Sequence, residues 1–426
     1  MKVILLNTSD KTGGAAIACY RLMDALNANG IEAKMLVRDK QTDNSNVISI
    51  NSNSWKKSIN KWHFLWERLV IFLHNGFSKQ DLFRVSIANT GNDISNHPLV
   101  QEADIIHLHW INQGFLSLEG IDKLAQLGKP ILWTMHDQWP YTGLCHYVDG
   151  CKNYIQHCHY CPQINSKTNN DLSSQIFKKK KNIFQSDKGI TLVGCSNWIA
   201  KCAKDSGILG MATFVTSIPN AINVSQYLKH NSTDSFRKEF NLPRSKKLIL
   251  FGACKVTDKR KGVDFMIAAC KRLLNYSFSS EVAVVVFGSK SEELSNLLDV
   301  LVINVGYINS SEQMVSLYNA VDLFLIPSLE DNLPNTIMES MACGTPCVGF
   351  NTGGIPEMID HKVNGYVAGY KDADDLANGI HWVLEESDYV QLSQNARKKV
   401  EACYSEDVVA KQYKELYQKL WHETES

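Results

Sequence analysis

Residues Val321–Gly365 read VDLFLIPSLEDNLPNTIMESMACGTPCVGFNTGGIPEMIDHKVNG, and this stretch decides how the rest of the chain is read. The apolar run Val321–Ile326 has strand length and stops at Pro327. A polar loop, Ser328–Pro334, leads into a helical pattern over Asn335–Cys343 that places Ile337, Met338, Met341 and Ala342 on one arc and Glu339 off it. Gly344 stops the helix, and Pro346–Phe350 is a second buried-strand run. Strand, helix and strand in that order predict two parallel neighbours joined by a crossover.

The chemistry concentrates where the loop becomes the helix. Backbone N–H groups around Leu333–Thr336 lack an earlier turn to bond to and point above the strand ends, which suits a diphosphate. Asp331 before the helix and Glu339 within it suit a ligand with hydroxyls at both ends of that diphosphate, as in a nucleotide-sugar. A capped helix in an ordinary doubly wound sheet is the alternative from spacing alone.

The whole run, from the acid–Asn–Leu–Pro–Asn–Thr segment through Glu339, Met-Ala-Cys-Gly-Thr-Pro and Gly-Gly-x-Pro-Glu, resembles the donor site of family 4 glycosyltransferases. The resemblance implies an α/β GT-B fold, with two doubly wound Rossmann-like domains facing a cleft. It further implies sugar transfer from a nucleotide-sugar with retention at the anomeric carbon. Glu339 would hold the ribose hydroxyls, and the stretch Asn332, Leu333, Pro334, Asn335 and Thr336 would lie on the phosphates. The first acid of the pattern, which would contact the sugar, is usually Glu; here Asp331 takes that spacing with Glu330 beside it, and both are candidates.

Three other stretches carry the resemblance further. Lys261-Gly262 matches a cation on the donor diphosphate, but Ala253 stands where an Arg is expected, so Arg260 or Lys255 would supply the second charge. Val3–Leu6, the Gly13-Gly14 loop and a helix over Ala18–Asn27 read as a βαβ opening, and Gly13 and Gly14 would meet the donor phosphate or the acceptor. Thr134-Met-His136-Asp137 follows a strand pattern, and the resemblance puts His136 near the reacting sugar. His107 and His109 end another strand, and there a hydrogen-bonded structural histidine is as good a reading as a site role.

A chain of 426 residues, 44% hydrophobic and 21% charged, exceeds one ordinary core. The expected division is residues 1–222, 223–403 and a closing helix, 404–426, that crosses back to the first domain. A formal net charge of zero gives no overall bias toward nucleic acid, which is not an expected partner. The apolar Val3–Leu6 run is too short for a signal core, so a cytoplasmic location is expected. The expected partners are a UDP- or GDP-linked donor and a glycan or lipid-linked acceptor in surface polysaccharide or lipopolysaccharide biosynthesis. A nucleotide-sugar epimerase on the same plan and a non-catalytic assembly partner are the rivals.

Within the insertion 145–161, Cys145, Cys151, Cys158 and Cys161 offer four thiolates for a structural zinc, with free thiols as the alternative; no catalytic metal is expected. Trp55–Phe77 mixes lysines with aromatics. It reads either as a helix on the anionic inner membrane face or as a core-facing helix with snorkelling lysines. Lys178–Lys181 reads as a solvated face, and Asp372-Ala-Asp374 as an acidic first turn rather than a metal site.

Overall fold

The computed structural model describes residues 1–425 except 52, 186–188, 210–212, 231–232, 256–257 and 295–296; the side chains of 253–255 and 424–425 are also outside the described set. The chain forms two compact units, Met1–Ala221 with Glu406–Ser426, and Ile222–Ser405.

The first unit is built on seven parallel strands: β1 (Lys2–Ser9), β2 (Glu32–Asp39), β3 (Val47–Ser49), β4 (Ile105–Leu108), β5 (Ile131–Met135), β6 (Ile190–Gly194) and β7 (Val215–Ser217). Their order is β3-β2-β1-β4-β5-β6-β7. Val3–Leu6, Ile105, Ile106 and Leu132 are buried, as strands covered on both faces require. One layer of core packs the Gly14–Ala28 helix and the closing Glu406–Glu425 helix against β1, β2 and β4, through Leu22, Leu26, Val409, Tyr413 and Tyr417.

The second unit has six: β8 (Lys247–Lys255), β9 (Val282–Ser289), β10 (Leu301–Gly306), β11 (Leu323–Ile326), β12 (Cys347–Phe350) and β13 (Gly365–Ala368), ordered β10-β9-β8-β11-β12-β13 and all parallel. In both sheets the order reverses between the first and fourth strands of the unit. Ligands of doubly wound sheets bind at the carboxyl ends beside that reversal. It lies between β1 and β4 in the first unit and between β8 and β11 in the second.

The opening stretch folds as its pattern predicts, with the helix at Asn335–Ala342 between β11 and β12. Ile337, Met338, Met341 and Ala342 are fully buried. Each of the larger three side chains contributes about 1.5–3 kcal/mol by leaving water. Gly344, at φ 75°, ends the helix.

Two readings need correction. Lys180 is not on a solvated face: it is 1% exposed, donates to the carbonyls of Trp139 (2.5 Å) and Thr142 (3.0 Å), and lies over the Trp139 ring. Apolar neighbours on the same turns, Ile176, Phe177 and Phe184, carry that face of the Leu172–Gln185 helix inward. The Ser54–His74 helix does not turn its aromatics to the core. Its buried side holds Asn60, Glu67, Arg68 and Ile71, while Trp55, Trp62, Trp66, Leu69 and Leu73 are exposed. Glu67 and Arg68 find partners inward: Glu67 accepts from the amides of Ile87 and Ala88, and Arg68 donates to the Val85 carbonyl and pairs with Glu67 at 2.9 Å.

Candidate functional site

The site in the second unit is assembled from three loops at strand carboxyl ends. After β8 come Asp258–Gly262, after β11 Pro327–Pro334, and after β12 Asn351–Gly354. Backbone contacts lock them together: Leu329 N–H donates to the Arg260 carbonyl at 2.8 Å, and Gly354 N–H to the Asp331 carbonyl at 3.2 Å. Two glycines make this approach feasible. A Cβ on Gly262 would lie 1.8 Å from the Pro327 carbonyl oxygen, and one on Gly353 1.8 Å from that of Asp331; both have positive φ.

Asp331 is the centre of this arrangement. Its carboxylate is 6% exposed and accepts from Lys261 Nζ at 2.5 Å and Ser328 Oγ at 3.2 Å, with Arg260 Nη1 at 3.5 Å. Burial by itself would raise the Asp331 carboxyl, but Lys261 and Arg260 outweigh it and hold the group below its usual value. Burial pulls Lys261 down, and Asp331 opposes that. With Asp331 held low and lysine starting so high, the pair is ionised at neutral pH. Arg260 also donates to the Glu330 carbonyl at 2.9 Å, which fixes its guanidinium over the loop. Glu330 is half-exposed. Lys255, singled out from the sequence, has its side chain outside the described residues.

Next to this pair the Asn335–Ala342 helix begins at Pro334 with no side-chain cap and no acid in its first turn. Such a helix start attracts anions. Asn332, Leu333 and Pro334 are buried, while Asn335 and Thr336 are partly exposed. On the same helix Glu339 is 9% exposed and accepts from Tyr318 OH at 3.2 Å. Tyr318 was not foreseen: it lies in an unremarkable helix, Ser311–Ala320, and nothing in its spacing marks it. One unit thus brings together Asp331, Lys261, Arg260 and the Asn332–Thr336 segment, with Glu339 one turn along the helix.

The reversal point of the first unit has other chemistry. Gly13, at φ 93° and ψ 163°, precedes the uncapped Gly14–Ala28 helix, and a Cβ there would meet nothing within 4 Å. His109, His136 and Cys195 follow the ends of β4, β5 and β6. His109 Nδ1 and His136 Nε2 share a hydrogen bond of 2.8 Å, and Cys195 Sγ lies 3.5 Å from His136 Nδ1. His107 is braced by Tyr417 OH and Thr134 Oγ1, each at 2.7 Å, so its role is structural. Burial lowers His107 to about 3 and His136 to about 4, leaving both neutral at pH 7. Asp137 braces the following loop by accepting from Trp110 Nε1 (2.8 Å) and binding His146 Nδ1 (2.7 Å).

Cys145, Cys158 and Cys161 are buried free thiols and Cys151 is half-exposed. Burial pushes Cys161 to about 11 and Cys158 to about 12, so both are protonated at neutral pH. Among the described residues no three His, Cys, Asp or Glu side chains are grouped to hold a metal ion. Cys145 lies within electrostatic reach of Cys161, Cys158 and Cys151. The segment is also held by contacts such as Cys161 N–H to Asp171 Oδ2 at 2.8 Å.

Two parallel α/β units in series, each with a reversal point, define a GT-B fold. The whole chain superposes on sucrose-phosphate synthase from Thermosynechococcus elongatus with a TM-score of 0.67 at 18% identity, covering 99% of both chains. Residues 232–399 match the family described as glycosyl transferases group 1, so the second unit carries a domain of that family. An uncharacterised glycosyltransferase of Methanocaldococcus jannaschii is 29% identical over 212 residues, 48% of this chain and 53% of the relative. The amylovoran biosynthesis glycosyltransferase AmsK of Erwinia amylovora is 30% identical over 185 residues, 41% of this chain and 45% of the relative. The chain thus spans about half the length of these curated relatives.

Proposed function

We propose that the chain transfers a sugar from a UDP- or GDP-linked donor to a hydroxyl of a glycan or lipid-linked acceptor, with retention, in surface polysaccharide assembly. The observation that supports this most is the Asp331–Lys261–Arg260 cluster beside an uncapped helix start. Without donor, Lys261 and Arg260 both face Asp331. A donor diphosphate would take over Lys261, Arg260 and the helix start, which leaves Asp331 to accept from sugar hydroxyls. Glu339, steadied by Tyr318, would hold the ribose.

As the sugar–phosphate bond breaks, negative charge grows on the departing diphosphate, and the same cations stabilise it more than they stabilise the intact donor. Lysine, arginine and the helix terminus supply the positive charge in this scheme, so no catalytic metal is invoked. The acceptor hydroxyl attacks from the face the diphosphate leaves and gives its proton to a diphosphate oxygen as the sugar–phosphate bond breaks. His136, neutral at pH 7, is assigned to orienting the sugar by its motif, as are Gly13 and Gly14 to the phosphate or acceptor.

The test is a panel of UDP- and GDP-sugars read by melting temperature and by nucleotide release. A true donor at about a hundredfold excess over its Kd adds roughly 2.7 kcal/mol to stability. It should release nucleoside diphosphate only with an acceptor present. Conversion of the donor to an epimer without nucleotide release would overturn the proposal in favour of the epimerase. Binding without turnover across donors and acceptors would favour the non-catalytic partner.

A further inference from the structure

A hollow of about 540 Å³ opens where β2 and β3 end, and its lining is cationic. Arg38 and Asp39 close β2, Ser49 closes β3, and Gln113 lies on the loop after β4. The hollow therefore sits past strand carboxyl ends, on the β2 side of the reversal between β1 and β4, where ligands of doubly wound sheets lie. The Ser54–His74 helix supplies the far wall through Lys57, Asn60, Lys61 and Phe64, on the side opposite its tryptophans.

These walls are fixed before anything binds. A Cβ on Gly114, at φ 80°, would lie 2.7 Å from the Phe64 nitrogen, so loop and helix meet at backbone distance. Arg38 pairs with Asp39 at 2.5 Å and donates to the Gln113 carbonyl, which ties β2 to that loop. Asn51 donates to the Arg38 carbonyl at 2.7 Å and accepts from Asn60 at 2.5 Å. Asp10 accepts from the Gln41 and Thr42 amides, each at 2.9 Å, which continues the rim into the loop that carries Gly13.

The charge in the hollow is not balanced. Among the described residues Asp39 is the one acid that lines it, and Asp39 is already paired with Arg38. Lys40 donates to the carbonyls of Asn44 at 2.9 Å and Val47 at 2.8 Å, neither of which carries a charge. Lys57 and Lys61 are exposed, and among the described residues neither pairs with a carboxylate. Three lysines thus face one hollow without a counter-charge, in a chain of zero formal net charge. A concave surface of one sign focuses its field and concentrates anions. Beside the lysines the lining offers the Phe64 ring and the Gln113 side-chain amide, an apolar face and a hydrogen-bonding group that suit a sugar ring.

We propose that this hollow selects acceptors that carry an anionic substituent, a carboxylate or a phosphate on a sugar ring, gripped by Lys57 and Lys61. Its part in acceptor choice rests on the transferase reading; the binding itself does not.

The experiment titrates the full chain with glucuronate, glucose 6-phosphate, inorganic phosphate and glucose, read by isothermal titration calorimetry. Glucuronate or glucose 6-phosphate should bind more tightly than glucose, and salt should weaken the binding. Which of the two acidic sugars binds identifies the anionic group. Lys57→Gln with Lys61→Gln should weaken that sugar about tenfold. The melting temperature of this variant should stay unchanged, since both side chains are exposed. The melting shift given by a donor should also stay, since the donor cluster lies in the second unit. Four results would overturn the proposal: no binding of either acidic sugar, glucose binding equally well, inorganic phosphate matching glucose 6-phosphate, or undiminished binding to the double variant. Acidic sugars that bind while no donor shifts the melting temperature would instead overturn the transferase reading and leave the anionic-sugar site in place.

Discussion

The two reversal points share a topology and differ in charge. Beside β8 and β11, loops meet backbone to backbone through Gly262 and Gly353, and a carboxylate with two cations is sealed into the seam. Beside β1 and β4, the Gly13 turn stands open and the side chains nearby are neutral histidines, a thiol and the Asp137 carboxylate. Strand order only fixes where a ligand can lie. The residues just past the strand ends determine which ligand: a cationic, preassembled set for an anion in the second unit, a row of histidines, a thiol and a carboxylate in the first.

The largest expected effect is on turnover. Asp331→Asn should lower kcat at saturating donor by about 10²–10³-fold, the scale of losing one transition-state contact, measured as nucleotide release. Gly13→Ala should cost far less turnover. Equal losses would break the contrast, since an open neutral turn would then matter as much as the sealed cluster.

Stability comes next. Gly262→Ala forces a Cβ into the Pro327 carbonyl and should destabilise the second unit by about 3 kcal/mol. At Gly13 only backbone strain opposes a side chain, so alanine there should cost roughly 1–2 kcal/mol. Urea unfolding of the two variants ranks them directly.

A pH dependence also separates the two sites. His107 and His136 have folded values of about 3 and about 4, both depressed below the usual histidine value near 6.5. Their unfolded forms therefore bind protons first, and stability they contribute above pH 6.5 is lost as pH falls. Each costs about 1.4 kcal/mol per pH unit until its folded value is reached. Asp331, also depressed, begins to lose its contribution only near the ordinary carboxylate range, around pH 4. Hydrogen exchange between pH 6.5 and 4.5 should thus show β4 and β5 amides losing protection while β8 and β11 keep theirs. The reverse order would refute the assignment of neutral histidines to the first unit.

Much of the second unit was legible because its signals are local. Strand, loop, helix and glycine stop follow one another within Val321–Phe350, and Asp331, Lys261 and Arg260, all singled out from the sequence, meet in one cluster. What escaped depends on contacts distant in sequence. Lys180 sits in a lysine run whose neighbours are exposed, and only the carbonyls of Trp139 and Thr142, from another loop, explain its burial. Tyr318 reaches Glu339 from the preceding helix. The aromatics of Ser54–His74 look like core by composition, and only the pairing of Glu67 and Arg68 with Val85–Ala88 turns them outward.

The closing Glu406–Glu425 helix gives the first unit a split genealogy. Its sheet is specified early in translation, yet Tyr413 OH on Thr134 and Tyr417 OH on His107 arrive only after the whole second unit has been made. Until then Val3, Leu5 and Leu26 lack the cover of Val409 and Ala410. The second unit, contiguous in sequence, is free to finish first on the ribosome. The nascent first unit therefore passes through synthesis with an unroofed flank, a window in which chaperone capture or premature release would be felt there before anywhere else.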